Sequence, residues 1–380
     1  MTTNSRGAAA IRPFRIDIPE ADLADLRARI ANTRLPQPAP EDDARYGVTA
    51  AWLTAALARW AELDWRAVEA RLNEFAQYVT EIDGQPVHFV HVPSAEPGAT
   101  PLLLAHSYPG SFVDFLDLIG PLTDPVAHGG RAEDAFSVVI PSAPGVGFSS
   151  PVVGGGWTTA RVAGLFDTLM RRLGYSTYGV HGSDFGANVA RELGLLQPEG
   201  LVGLHVLQAF SFPSGAEGEF DTLGPKDYAA LEFMQWFQSV GGYNTMNASR
   251  PQTVAVGLAD SPAGQLAYSE LFMGFDRPSS VPLDAILTEV SVAWFANSAA
   301  GQVRYYFEDA RAAAEPSVNH APMGVALFPD DFQSIRAFAD RDNDNIVHWT
   351  EHERGGHYAA LEVPDLLVGD IRAFFGGLRS

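Results

Sequence analysis

The chain has 380 residues, too many for one small core, and 25 basic against 46 acidic side chains leave a formal charge of −21. That balance, with no Lys/Arg cluster in the acidic background, excludes a polyanion such as nucleic acid as a partner. Cysteine is absent, so disulfides, a thiolate nucleophile and Cys-ligated zinc are excluded as well. Near the start, Ala8-Ala9-Ala10-Ile11 is far short of a signal-peptide core. No later stretch reaches the roughly 18 uninterrupted apolar residues of a spanning helix, and a soluble cytoplasmic protein with no membrane partner is expected. Lys226 is the one lysine; with the abundant alanine this points to a high-GC bacterial genome.

From Pro19 to Phe75 the spacing is helical, with Leu23, Leu26 and Ile30 on one face and Trp65, Val68, Leu72 and Phe75 on another. Residues 1–85 are therefore expected to form a helical N-terminal region wrapping the core. Val87–Val92, Leu102–Ala105 and Phe136–Ile140 read as short strands closed by Gly or Pro. Val162, Leu165, Phe166, Leu169 and Leu173 keep helical spacing, with Thr159 as the expected N-cap. Tyr178–His181 is a further strand, Ala187–Leu196 a helix and Leu201–Leu207 a strand. The sheet signal then stops for about a hundred residues, replaced by Pro/Gly breaks and aromatic helices through Arg311, which reads as an inserted helical cap over 216–318. Strands return at Gly324–Phe328 and Asn345–Trp349, and the chain closes on an amphipathic helix, Leu366–Phe375. Alternating strands and helices imply an α/β class with a mostly parallel sheet, its core in two parts, 86–215 and 319–380.

The chemistry concentrates where Tyr178–His181 turns into the following helix, at Gly182-Ser183-Asp184-Phe185-Gly186. Small residues at both ends of such a turn let the central side chain project alone from its tip. That side chain is Asp184, a carboxylate already ionised at neutral pH, which attacks carbon to give an ester. This is the nucleophile position of the α/β-hydrolase fold, where an acid and then a histidine follow in loops after later strands. Phe328-Pro329-Asp330-Asp331 and Arg354-Gly355-Gly356-His357 supply them in that order, with Asp331 expected as the acid and neighbouring Asp330 as its competitor. The oxyanion site should combine the backbone N–H of Phe185 with that of Tyr108, in His106-Ser107-Tyr108-Pro109-Gly110. His106, at a strand end, is expected to hydrogen-bond its own loop.

His348-Trp349-Thr350-Glu351-His352 satisfies the H-x-x-E-H zinc pattern, which works only on a helix, where the two histidines share a face. Its β-rich surroundings argue for a strand, and no metal is expected there. His88 and His91, three apart in a strand, point to opposite faces and are not expected to share a metal either.

These stretches together resemble the epoxide hydrolases of the α/β-hydrolase superfamily, in the microsomal and juvenile-hormone branch with its N-terminal domain. The likeness runs from Arg12-Pro13-Phe14 and Leu72-Asn73-Glu74-Phe75 through His106–Ser111 and Gly182–Ala187 to Asp260-Ser261-Pro262 and Arg354–Glu362. It implies two cap tyrosines that activate the epoxide oxygen, at the matching positions Tyr243 and Tyr306, with Tyr305 a rival for the second. It implies ring opening by Asp184 through an alkyl ester, hydrolysed by water that His357 and Asp331 activate, with no cofactor. The substrate would be a small-molecule epoxide, with a bulky aromatic one as the specific guess; antibiotic biosynthesis and assembly into a homo-oligomer stay open. Ser107 and Tyr108 replace the family's frequent Gly and Trp, Phe185 replaces Trp after the nucleophile, and Asp331 stands where Glu is common. The branch's membrane anchor is not expected here. The alternatives are a dehalogenase using the same carboxylate and a ligand receptor that has kept the hydrolase pocket.

Overall fold

The structure, a computed structural model, describes residues 10–277, 279–312 and 317–379; half of the apolar run at 8–11, residues 8 and 9, lies outside them. Among the described residues one sheet of nine strands organises the chain, in the order β1-β2-β3-β5-β4-β6-β7-β8-β9. The strands are β1 (Arg12–Phe14), β2 (Gln77–Ile82), β3 (Gln85–Val92), β4 (Thr100–Ala105), β5 (Phe136–Pro141), β6 (Tyr178–Gly182), β7 (Leu201–Val206), β8 (Met323–Leu327) and β9 (Ile346–Glu351). From β5 across to β9 every pair is parallel, whereas β1, β2 and β3 add an antiparallel edge.

That edge corrects the reading of residues 1–85 as helical. Among its described residues lie three α-helices, α1 (Glu20–Ala31), α2 (Ala50–Glu62) and α3 (Trp65–Leu72), but the same region also contributes β1 and β2. The cause is local: Asp83 and Gly84 both take positive φ, 53° and 77°, and pair Ile82 with Gln85 across a two-residue hairpin turn.

Helices cover both faces. On one side lie α5 (Thr159–Arg172) and α6 (Phe185–Leu196), and on the other α4 (Leu116–Thr123) and the closing helix α15 (Pro364–Gly377). The alternation of β4 sorts its side chains between them: Leu103 joins Phe166 and Val189, while Leu102 and Leu104 join Leu118 and Phe374. Of the expected stripe, Val162, Leu165, Phe166 and Leu169 are buried in α5 while Leu173, at its C-cap, is partly buried, and each fully buried side chain contributes about 1.5–3 kcal/mol. The N-cap is Thr158, one residue before the expected Thr159, and its hydroxyl accepts from the N–H of Arg161.

Between β7 and β8 the chain is helical: α7 (Pro225–Val240), α8 (Gly242–Ser249), α9 (Pro251–Asp260), α10 (Pro262–Tyr268), α11 (Leu283–Phe295) and α12 (Ala299–Asp309). The N-terminal helices brace this insertion, as the Trp60 indole N–H donates to the buried Ser291 hydroxyl of α11 at 2.8 Å. After β8 come α13 (Arg336–Asp342) and, past β9, the short α14 (Ala359–Glu362). Among the described residues no helix is long and apolar enough to cross a membrane.

Candidate active site

Asp184 sits at the junction of β6 and α6 with φ 52° and ψ −116°, a conformation that an L-residue adopts only when its surroundings force it. The force is close packing. The start of α6 lies so near the end of β4 that a Cβ on Gly186 would fall 1.9 Å from the carbonyl oxygen of Ala105. Glycine at that position lets the turn tighten, and the Asp184 side chain is left projecting over the helix N-terminus.

Its two oxygens have different surroundings. Oδ1 accepts the backbone N–H of Phe185 at 2.6 Å and of Tyr108 at 3.0 Å. Oδ2 lies 3.5 Å from Nε2 of His357. The other imidazole nitrogen, Nδ1, is 2.7 Å from Oδ1 of Asp331, which fixes the ring's orientation. Of the two competing acids the structure brings Asp331, 3 % exposed, onto the histidine; Asp330 is exposed and its N–H donates to the carbonyl of Gly355. Burial opposes a charge on His357, but the carboxylates of Asp331 and Asp184 outweigh it and hold the imidazole well above its usual range.

Sequence reasoning missed Gln208. This buried amide follows β7 and bridges the two acids: its carbonyl accepts the Asp184 N–H at 2.7 Å and its amide nitrogen donates to Oδ2 of Asp331. A polar residue directly after an apolar strand, level with the turn at Asp184, was the available signal.

The loop bearing Tyr108 is held from several sides. Tyr358 donates its hydroxyl to the Tyr108 carbonyl at 2.9 Å, Gln302 donates to the Pro109 carbonyl at 3.0 Å, and Asn247 reaches the Tyr108 hydroxyl at 3.2 Å. His106 turns back into the same region, Nδ1 at 2.8 Å from the Ser107 carbonyl and Nε2 accepting the Ala143 N–H at 3.1 Å.

Over Asp184 opens a cavity of about 630 Å³ whose walls include Asp184, His357, Tyr243, Tyr305 and Tyr306. Tyr243, from α8, and Tyr306, from α12, have ring centres 6.1 Å apart, and both rings pack on Tyr108. Tyr305 packs most closely on Phe185, with ring centres at 4.2 Å, and meets Tyr108 edge-on at 6.1 Å. Burial pushes all three phenols well above their usual range; for Tyr243 and Tyr305 the Asp184 charge is the next cause. Phe210, Phe212, Phe233, Trp236 and Phe275 make the outer wall aromatic.

The histidines of the H-x-x-E-H pattern lie along β9 and just past its end, not on a helix. Nε2 of His348 and of His352 stand 2.8 and 2.9 Å from the Asp370 carboxylate on α15, and His205 from β7 joins them at 2.9 Å. His205, His348 and Asp370 each bring a donor atom within 4.8 Å of one another, and these atoms are used in that mutual hydrogen bonding. Burial alone would raise the Asp370 carboxyl, but the bonds from His205 and His348 hold it far below its usual range. His88 bonds Ser142 and Gln77, whereas His91 bonds the Tyr175 hydroxyl, so the two do not meet.

Residues 11–115 match the family model described as "Epoxide hydrolase N terminus". A protein of Stigmatella aurantiaca provisionally named an epoxide hydrolase is 40 % identical over 97 % of this chain and 86 % of its own length. Epoxide hydrolase 1 of Oryctolagus cuniculus is 32 % identical over 97 % of this chain and 89 % of its own. Among solved structures, the juvenile hormone epoxide hydrolase of the silkworm Bombyx mori superposes with a TM-score of 0.89 at 27 % identity, covering 98 % of this chain and 95 % of that one. An Aspergillus niger epoxide hydrolase does so at 0.85 and 30 %, covering 98 % and 97 %. With a carboxylate at the turn, an α/β-hydrolase sheet beneath it and relatives matched along nearly the whole chain, this protein belongs to the epoxide hydrolases.

Proposed function

We propose that this epoxide hydrolase works through a covalent ester on Asp184. The observation that carries the reading is the division of labour within one carboxylate: Oδ1 already occupies a pair of backbone N–H donors, while Oδ2 faces the cavity side at His357. In the first step Oδ2 attacks a ring carbon, the C–O bond of the epoxide breaks, and the oxygen takes a proton from a phenol, Tyr243 or Tyr306. Their raised affinity for the proton keeps both phenols protonated as donors before that step.

In the second step water attacks the ester carbonyl carbon. Nε2 of His357 takes the water's proton, and negative charge develops on Oδ1, where the N–H groups of Phe185 and Tyr108 already point. Collapse releases the diol with Oδ2 in its new hydroxyl and leaves the water's oxygen in the carboxylate. The leaving diol oxygen takes the water's second proton. The imidazolium proton of the resting enzyme passes to the phenolate after ring opening, and the proton taken from water replaces it, so the balance is one epoxide and one water to one diol. Esterification also explains how a histidine that favours its charged form becomes a base. Once Asp184 is an ester, one of the two negative charges that held the proton is gone.

The aromatic walls and the 630 Å³ volume support a bulky, lipophilic epoxide as substrate, aromatic groups stacking on Phe210, Phe233 and Trp236. A cytoplasmic location belongs to the same proposal; cell fractionation checks it.

The test is a single turnover in heavy-oxygen water with enzyme in excess. Unlabelled diol and label in the peptide containing Asp184 are expected, and His357→Gln should accumulate an adduct heavier by the substrate's mass. Label passing straight into the diol, with no adduct, would mean direct attack by water.

A further inference from the structure

The loop that carries the Tyr108 N–H closes over two buried acids. Asp114 lies in the single turn Phe112–Phe115 after the loop, and Glu289 comes from α11 in the helical insertion; each is 2 % exposed. Oδ2 of Asp114 accepts both the N–H and the hydroxyl of Ser107, at 3.0 and 2.6 Å. Oε2 of Glu289 accepts the hydroxyl of Ser111 at 2.6 Å. Thus both ends of the segment Ser107–Ser111 are tied to the two acids, and Tyr108 is the residue next to the first tie.

The remaining oxygens, Asp114 Oδ1 and Glu289 Oε1, are buried and have no donor among the described residues. Asp114 and Glu289 lie within hydrogen-bonding reach of each other, and as two ionised carboxylates they would repel in a medium that screens poorly. One proton between Oε1 and Oδ1 removes the repulsion and satisfies both oxygens at once. Asp114 already receives two donors on its other oxygen and keeps the charge; Glu289 takes the proton. Burial first, and then the Asp114 charge, raise the Glu289 carboxyl well above its ordinary range. The titratable groups facing the pair supply no cation at neutral pH. His106, beside Asp114, is pushed down by burial, and Tyr358, which senses both acids, is a phenol pushed up by burial. Asp184, which acts on the same His106, adds negative charge. The fit is tight: a Cβ on Gly110 would fall 2.4 and 2.5 Å from the two Asp114 oxygens.

We propose that protonated Glu289 and ionised Asp114 form a shared-proton carboxyl pair that aims the Tyr108 N–H at the oxyanion position. Glu289 is thereby a positioning residue for hydrolysis of the ester. The proposal rests on the reading of Asp184 as the nucleophile, and it makes the helical insertion part of the oxyanion machinery, since α11 holds one half of the pair.

Three variants and one spectrum test it. Glu289→Gln keeps a neutral donor toward Asp114 and an acceptor for Ser111, so ester hydrolysis in single turnover should stay within about threefold of wild type. Glu289→Leu removes both and should slow hydrolysis by about 10- to 100-fold, more than it slows alkylation. Asp114→Asn can donate to an ionised Glu289 and should resemble Glu289→Gln. Infrared spectra at mildly alkaline pH should show a protonated-carboxyl C=O band in wild type that is missing in Glu289→Gln; this readout does not depend on the identity of the nucleophile and survives if Glu289→Leu fails to fold. Loss of hydrolysis in Glu289→Gln as deep as in Glu289→Leu, or the absence of that band in wild type, overturns the pair.

Discussion

The side-chain carbonyl of Gln208 accepts the backbone N–H of Asp184 at 2.7 Å, so the strained turn that presents the carboxylate is held from the neighbouring strand end. The same amide donates to Asp331, which in turn orients His357. One side chain therefore sets the spacing of nucleophile and base. Gln208→Leu, close in volume, removes an acceptor from a buried N–H and a donor from a buried carboxylate. Hydrogen bonds to charged groups contribute about 1.5–3 kcal/mol, so a fall in turnover of about 10- to 100-fold is expected. Gln208→Leu turning over at the wild-type rate, measured by diol formation, would remove Gln208 from the machinery.

A second prediction concerns the charge on His357. Its raised affinity for a proton is the balance between burial, which lowers it, and Asp331 and then Asp184, which raise it. Asp184→Asn imitates the loss of charge on esterification, so the imidazole midpoint followed by NMR should fall below that of wild type. Asp331→Asn should lower it further, because Asp331 is the stronger of the two attractions. The sign for stability follows. A histidine raised in the folded state stabilises fully below about 6.5, its unfolded value, and the contribution is lost as pH rises through the folded value. Asp184→Asn should therefore lose less stability than wild type on going alkaline. An unchanged NMR midpoint in Asp184→Asn would show that the two groups do not sense each other.

Much of this arrangement is legible along the chain because it depends on local order. Gly182-Ser183-Asp184-Phe185-Gly186 lies between a β pattern and a helical one, and Asp331 and His357 follow later strands in the sequence expected for the fold. The parallel strands β4 to β9 are apolar runs whose periodicity survives without knowledge of their neighbours. What was not legible depends on partners distant in sequence. Gln208 and Asp331 are 123 residues apart, and Ser111 and Glu289 are 178 apart; nothing near Glu289 distinguishes a buried acid from a solvated one. The strand β2 was overlooked for a different reason, since the helical spacing before it masks the alternation in Gln77–Ile82, although Asp83-Gly84 is a hairpin signal. Asp330 and Asp331 differ only in which side of the loop they leave, which sequence does not encode at one residue's resolution.

The three phenols above Asp184 separate by position. Tyr243 stacks on Tyr108 at 5.6 Å and Tyr306 meets it edge-on at 5.1 Å, whereas Tyr305 packs most closely on Phe185, at 4.2 Å, and reaches Tyr108 at 6.1 Å. Removing one donor aimed at developing charge typically lowers the rate by about 100-fold or more. Tyr243→Phe and Tyr306→Phe should each slow formation of the ester on that scale, and the double variant should nearly abolish it. Tyr305→Phe should be mild. If stopped-flow alkylation shows the opposite, severe for Tyr305 and mild for Tyr306, the proton comes from Tyr305.

His88 is fully enclosed between Phe14, Phe112 and Phe148, with Nδ1 at 2.9 Å from Ser142 and Nε2 at 2.9 Å from Gln77. Burial pushes it down to about 3. The unfolded chain takes up a proton at this side chain below about 6.5, while the native one refuses it until about 3, so stability is complete above 6.5 and falls through that window by about 1.4 kcal/mol per pH unit. The buried His106, His181 and His205 act in the same direction and His357 in the opposite one, which makes the total slope of wild type a poor test of any one of them. A difference between two proteins isolates it. His88→Gln retains an amide donor and acceptor but does not titrate, so it should be the less stable protein at neutral pH, by the loss of a fitted ring, and lose less on acidification. Urea unfolding at neutral pH and about two units lower measures the gap. It should narrow by about 2–3 kcal/mol; a gap that stays constant would mean that His88 is protonated, or that water reaches it, in the native fold.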